Sequence, residues 1–474
     1  FVPHLVLAPL FALLFIGLVR RYVNCEEVSS IIASTFFFSF FLYGLIADSL
    51  VGVFAPYEKQ VIPIVLWIIV VWGGGRFLIG SKKLESVKTQ LTEFFNILSI
   101  ILVGTVSFMI VKEVATIEHE PPHFATRALV ESSVFVPQND LPDVYYIILD
   151  GYNRNDFLKE FMSYDNSPFT KELTAMGGFV AEESFSNYHC TLLSLNSSMN
   201  LEYLENMQPS HYSLLKGMEQ SLVTRVFKRN GYATVFVCSG HHRNVFNEFD
   251  VLVQEPVTIS DFSFVTWHRT PLRPFIEYVK LNNDQRQIAG AFRNLRLQML
   301  SSDDSRPKFV FAHVLAPHRP YLFSALGKPI NSIGEAKNLS VEAAKKAYCS
   351  YLQYVNRMVL EALRHRKSAR GQKPIVIIQG DHGSCLAFSV PGMSSKDRHW
   401  GALSVLNAYF FPPSIEKKLT RDITPVNTFR ILFSHLFNLN LPPLNNRAFF
   451  RAPESVLKCV EVPVSELALR KVCK

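Results

Sequence analysis

A chain of 474 residues is too long for one small domain, and a hydrophobic content of 48% with a mean hydropathy of +0.15 is high for a wholly soluble protein. The net charge of +8 is modest for that length and no basic run is interleaved with aromatics, so nucleic acid is not an expected partner. Seven cysteines include no CxxC pair, and their odd number excludes complete pairing.

The apolar excess is concentrated before residue 115. Four runs, about Val2–Val19, Ile31–Phe54, Val61–Gly80 and Phe94–Val111, each approach the ~20 residues a membrane-spanning helix needs, without an amphipathic charge pattern. Residues 1–112 are therefore predicted to be a multi-helix transmembrane domain. Arg20 and Arg21 follow the first run, and Arg76 near the end of the third is followed by Lys82, Lys83 and Lys88. Basic loops stay in the cytoplasm, so these two should face inward and the Pro56–Lys59 loop outward. The fourth helix then delivers everything after about Lys112 to the extracytoplasmic side. The same count puts Phe1 outside, so an upstream segment is expected, with a fifth spanning helix as one candidate.

Residues 113–142 contain Pro121, Pro122, Pro137 and Pro142 among polar residues and read as a linker near the membrane surface. From residue 143 to 474 the pattern alternates strand and helix. Strands are predicted at Asp143–Asp150, Phe179–Glu183, Tyr232–Val237, Lys308–Leu315, Ile375–Gln379 and Val405–Phe411. Helices are predicted at Asn155–Met176, Tyr212–Asn230, Asp284–Leu300 and Val341–Arg366. Such alternation implies an α/β domain with a mostly parallel sheet, whose ligands bind beyond the carboxyl ends of the strands.

That rule directs attention to the polar residues that end each strand. Asp150-Gly151 closes the first, and reads either as a helix-capping Asp or as a site carboxylate. The segment Ser184–Ser198 is dense in hydroxyls and leads into a helical pattern. A hydroxyl there is a cap or, at a helix N-terminus that would receive a phosphate, a nucleophile. His318 follows another strand among prolines. In Pro374–Ser384, PIVIIQGDHGS, two glycines bracket Asp381 and His382, a carboxylate beside an imidazole, which is half of a divalent metal site.

In this order the motifs resemble the alkaline-phosphatase and sulfatase superfamily, specifically its membrane-anchored branch of lipoteichoic acid synthases and lipid A phosphoethanolamine transferases. The resemblance covers roughly Asp143 to Pro442. It implies an extracytoplasmic α/β/α sulfatase-like domain carrying one or two divalent metal ions (Zn²⁺, Mn²⁺ or Mg²⁺), with Asp150, Thr191, Asp381 and His382 as ligands and Thr191 as nucleophile. His318 matches the histidine of a His-x-Pro segment that contacts the transferred head group, and His399 matches a further site histidine more loosely. Gly240–Asp250 looks like the segment where lipoteichoic acid synthases hold glycerol phosphate. Arg243 keeps the guanidinium, whereas His241 replaces the aromatic and leaves the head group open. Cys190–Ser194 lacks the Pro and Arg of the sulfatase nucleophile motif, which favours Thr191 itself. The implied function is transfer of a phosphoglycerol or phosphoethanolamine head group from a phospholipid, through a covalent Thr191 adduct, to a glycan or lipid acceptor at a bacterial cytoplasmic membrane. The alternatives are a phosphodiesterase or phosphatase with the same site, and a non-catalytic envelope receptor. Pairing of Cys459 with Cys473 is one option in an oxidising compartment.

Overall fold

The computed structural model describes residues 2–23, 25–50, 58–80, 82–116, 121–131, 141–205, 210–240, 246–301, 306–331, 339–367, 371–452 and 455–469. The described chain divides into two compact units, one of Phe1–Ile117 with Thr258–Asn282, the other of Glu118–Val257 with Asn283–Lys474.

The first unit is built on α1 (Val2–Arg20), α2 (Glu26–Leu50), α3 (Glu58–Gly80) and α4 (Lys82–Thr116). Helices are what such apolar runs must form in a lipid environment, because only there are all backbone polar groups satisfied within the segment. Among the described residues, Glu26–Ser49 and Ser86–Lys112 are long and apolar enough to cross a membrane, and Ile62–Gly74 is a shorter apolar helix. Val28 and Ile31 of α2 pack with Leu91 and Phe95 of α4, and Phe36 and Phe40 meet Trp67 of α3. Apolar side chains such as Ile100, Val103 and Phe108 face outward along α4. That helix begins at Lys82, about three turns before the run expected from Phe94, because Leu84–Glu93 consists largely of good helix formers.

In the second unit, α5 (Ala125–Glu131) precedes β1 (Val144–Leu149), which is followed by α6 (Asn155–Met162), α7 (Ser167–Ala175) and β2 (Phe179–Val180). Next come α8 (Thr191–Asn200), α9 (His211–Glu219), α10 (Leu222–Arg229), β3 (Ala233–Cys238) and β4 (Val251–Val253). After α11 (Asp261–His268) and α12 (Arg273–Leu300) the chain enters β5 (Lys308–Val314), the helix Val341–Arg364 and β6 (Ile375–Gln379). The helix Ser395–Leu403, β7 (Asn407–Phe410), the helix Pro425–Leu436 and the hairpin β8 (Ala448–Ala452) and β9 (Ser455–Val462) complete it.

The main sheet has the order β2-β7-β6-β1-β5-β3-β4. β6, β1, β5, β3 and β4 are parallel, while β7 runs antiparallel to β6 and the edge strand β2 antiparallel to β7. β1 is central and wholly buried, as its run VYYIIL requires of a parallel strand covered on both faces. Tyr146 and Ile148 face a core shared with Phe311, Ile377 and Phe429 of the helix Pro425–Leu436, whereas Tyr145 on the opposite face donates to Gln298 O of α12.

Two helices expected to be continuous are broken. Ser163 takes a left-handed backbone between α6 and α7, and Ser221 between α9 and α10 caps the second helix by accepting from Thr224 N. Cys459 is a free thiol, and Cys473 lies outside the described residues.

Candidate active site

Five chain segments converge at the carboxyl edge of the sheet. In the parallel register Ile148 of β1 lies beside both Gln379 of β6 and His313 of β5. Asp150, two residues beyond Ile148, therefore emerges level with Asp381, and Asp381 Oδ1 accepts from Gly151 N at 3.1 Å. Gly151 has φ +74°, a left-handed turn that frees the chain from the strand direction immediately after the carboxylate.

At the end of β6 the glycines serve a different purpose from the sharp bend that the sequence suggests. Neither Gly380 nor Gly383 has a positive φ. A Cβ on Gly383 would lie 2.1 Å from Gly401 O and 2.4 Å from Asn153 Nδ2, so glycine is needed for close backbone approach. Asn153 braces the turn by donating to Gly401 O and Ser404 O while accepting from Ser384 N.

Asp150, His313 and Asp381 are all buried, and they offer ligand atoms within 4.8 Å of one another. His313 Nε2 lies 3.2 Å from Asp150 Oδ2, and His382 Nε2 lies 3.5 Å from both Asp150 Oδ1 and Asp381 Oδ2. Those last two carboxylate oxygens accept no hydrogen bond. His382 Nδ1 is 2.8 Å from Gly383 O; a carbonyl only accepts, so Nδ1 carries a proton and Nε2 is the ring atom that faces the carboxylates. Burial opposes the charge on Asp150, but the neighbouring His318, His313 and His382 more than offset it and hold its carboxyl well below the usual range. Two buried carboxylates with unsatisfied oxygens facing an imidazole nitrogen fit a hard or borderline divalent cation, and no thiolate competes in this donor set.

Thr191 is the first residue of α8. Its N-cap, Cys190, is extended and makes no side-chain cap, so the Thr191 side chain is available to the cluster. Thr191 Oγ1 lies 3.2 Å from His382 Nε2 and 3.4 Å from Asp150 Oδ2. Ser194, one turn on, and Ser186 both donate to the backbone carbonyl of Asp381, which ties the start of α8 to the end of β6. Within the hydroxyl-rich segment, Thr191 thus aims its hydroxyl at the carboxylates while those of Ser186 and Ser194 position the backbone.

A Sulfatase family model matches residues 142–426, more than half of the chain. The chain belongs to the sulfatase family. No curated protein sequence matches it. Among solved structures, the sulfatase chain is similar to the zinc complex of the C-terminal periplasmic domain of EcEptC from Escherichia coli, at 11% identity and TM-score 0.46, covering 69% of this chain and 96% of that one. It is also similar to the integral membrane lipooligosaccharide phosphoethanolamine transferase A from Neisseria meningitidis, at 11% identity and TM-score 0.42, covering 85% and 81%. A third is the phosphonate monoester hydrolase of Agrobacterium radiobacter, at 12% identity and TM-score 0.44, covering 65% and 80%. Likenesses this distant leave the activity open.

Within this sulfatase fold, Asp150, Thr191, Asp381 and His382 are brought together. His318 stands beside them: its ring centroid is 6.1 Å from that of His382, and Gly151 faces its backbone and ring. Its Nδ1 lies 2.6 Å from Arg319 O, which by the same reasoning leaves Nε2 for other contacts. His399 has a different polar partner, Glu466 Oε2 at 2.7 Å, and its ring lies against Phe450. Arg243 and His241 lie outside the described residues. His313 was not among the residues singled out by sequence. The available signal was a histidine inside the otherwise buried strand KFVFAHV, where an imidazole must find a polar partner. His189, also buried, shares Phe450 with His399, and both of its ring nitrogens lack a hydrogen-bond partner.

Proposed function

We propose that this protein is a membrane-bound, divalent-metal-dependent transferase that moves a phospholipid head-group phosphate to an envelope glycan or lipid acceptor, with residues 1–112 as its membrane domain, 113–142 as a linker and 143–474 as its catalytic domain outside a bacterial cytoplasmic membrane. The observation that carries this reading is the convergence of the Thr191 hydroxyl with Asp150, Asp381 and His382 at the open edge of the sheet. The apolar helices of the first unit support the membrane placement.

When bound by Asp150, Asp381, His382 and Thr191, a divalent ion supplies charge that lowers the pKa of the threonine hydroxyl and offsets charge on the phosphoryl oxygens. Thr191 Oγ1, its proton lost to solvent, attacks the phosphodiester phosphorus; the bond to the diacylglycerol oxygen breaks, and His318 in its imidazolium form delivers its Nε2 proton to that leaving oxygen. The head-group phosphate stays on Thr191 until an acceptor hydroxyl attacks the same phosphorus, giving its proton to the now neutral His318 and returning the electron pair of the broken bond to Oγ1. His313 acts from behind, holding Asp150 in place. Arg243 and His399 are assigned to substrate binding.

The test is peptide mass spectrometry of the full chain incubated with phosphatidylethanolamine or phosphatidylglycerol vesicles and no acceptor. A phosphoethanolamine or phosphoglycerol mass on the peptide containing Thr191 is expected, with none for Thr191→Ala and a partial yield for Thr191→Ser, which keeps the oxygen. Turnover by Thr191→Ala, or an adduct on Ser194, overturns the assignment. Acceptor-independent release of the head group would identify a hydrolase instead.

A further inference from the structure

The segment Thr258–Asn282 lies between β4 and β5 of the sulfatase sheet, yet it belongs to the same compact unit as the apolar helices α1–α4. Among the described residues it contacts one side of the last turns of α2, at residues 41, 44 and 48. The Phe41 ring lies 6.5 Å from that of Trp267, Gly44 N donates to Arg269 O at 2.7 Å, and Asp48 pairs with Arg269 and Arg273. Gly44 is where a helix can admit another backbone: a Cβ there would lie 2.9 Å from both Arg269 Cα and Arg269 O.

We propose that Asp261–Leu281 is a membrane-interface foot, a two-helix insertion of the sulfatase domain that packs on the outer end of α2 and lays Val265, Leu272, Phe275 and Tyr278 into the head-group layer of the bilayer. The inference rests on the reading of α2 and α4 as membrane spans. From Glu26 to Asp48, α2 rises about 33 Å, which matches the ~30 Å hydrocarbon core, so Asp48 falls at one membrane surface and the Arg20-Arg21 turn at the other. The contact at Gly44 lies about 6 Å deeper than Asp48, the depth at which amphipathic helices lie in the interface.

The outward residues have the chemistry of that layer. Val265, Phe275 and Tyr278 are 64%, 64% and 62% exposed, and Leu272 is 44% exposed. Leu272, Phe275 and Tyr278 follow one another at three-residue spacing along one face, while Ile276 and Leu281 turn inward. In water such a stripe on a soluble domain costs hydrophobic free energy, whereas at the interface the rings of Tyr and Phe and the long stems of Arg269 and Lys280 are at home. Commitment to lipid over a protein partner rests on this continuity with a span at matching depth.

The test uses the full chain reconstituted in phosphatidylethanolamine/phosphatidylglycerol vesicles. A fluorescent noncanonical amino acid is placed singly at Val265, Phe275 or Tyr278, with Val103 of α4 as the control for the spans. Quenching is read with lipids carrying a nitroxide near the head group or deep in the chain, and with aqueous iodide. The expected result is deep-chain quenching at Val103 and at least twofold stronger shallow than deep quenching at the three foot positions, with little from iodide. Quenching at Val103 with iodide-dominated quenching at the foot overturns the foot and leaves the spans intact. Protection of the foot from every quencher would mean that protein covers it, and overturns the proposal as well. Absence of lipid quenching at Val103 removes the spans and the foot together. Gly44→Leu, which forces Arg269 off α2, is expected to raise iodide quenching at Phe275 while leaving Val103 unchanged.

Discussion

Thr191 and His313 illustrate two ways in which a single residue serves the cluster. Thr191 presents a hydroxyl to it; His313, fully buried in β5, sets its Nε2 3.2 Å from Oδ2 of Asp150. His313→Ala is expected to weaken metal binding about 10- to 100-fold, as loss of a partner behind a metal ligand typically does. His313→Asn, which can still donate to Asp150, should restore part of that affinity. Metal titration with an equilibrium chelator measures both, and equal affinity in all three proteins would make His313 a packing residue. His189 makes a separate prediction about acid. Burial, with help from His382 and Arg451, lowers its pKa from 6.5 to about 4, so the folded chain keeps it neutral. Between pH 6.5 and about 4 the unfolded chain takes up a proton that the folded chain refuses, so stability falls as the pH falls through that window and is unaffected by this group above it. The loss is at most about 3 kcal/mol, and urea unfolding of metal-free protein should show it flattened in His189→Phe.

At the scale of elements, the β6 turn and α8 set the precision of the site. Gly383→Ala must displace both the Gly401 carbonyl and the Asn153 side chain, at an expected cost of about 1–3 kcal/mol. It should also reduce turnover about 100-fold by moving His382, a drop that activity assays compared with unfolding curves would separate from instability. The reach of sequence reasoning is visible in the same elements. β1, β5 and β6 stand close to their expected bounds, because buried parallel strands read as continuous β-branched and aromatic runs and their ends mark the site. β4, with three residues, and the β8–β9 hairpin were not legible. A strand that short has no period to read, and the hairpin alternates only after its partner is known. His313 escaped attention because it stands inside a strand, while the search was for residues after one. The glycines of the β6 turn were legible as important, but for bending, whereas steric room at Gly401 is visible only once a distant helix is in place.

For the whole molecule, the return of Thr258–Asn282 to the helices α1–α4 could not be read from chain order, which places that segment deep inside the sulfatase domain. Periodicity reports that a helix has an apolar face and is silent on which distant element or solvent meets it. The fold also has a temporal side. Thr191 meets a histidine 191 residues further along the chain, and Gly151 meets a carboxylate 230 residues away. At ~5–20 residues per second of synthesis, about 10–40 s separate the appearance of Thr191 from that of His382, and until then the cluster that would hold an ion is incomplete. The identity of the ion is accordingly settled by whatever metal pool surrounds the chain once β6 has docked beside β1, a consequence for quality control more than for catalysis. A chain truncated before Asp381 should emerge from the ribosome with no bound metal under any supply, and stoichiometric metal in such a fragment would show that the early ligands suffice.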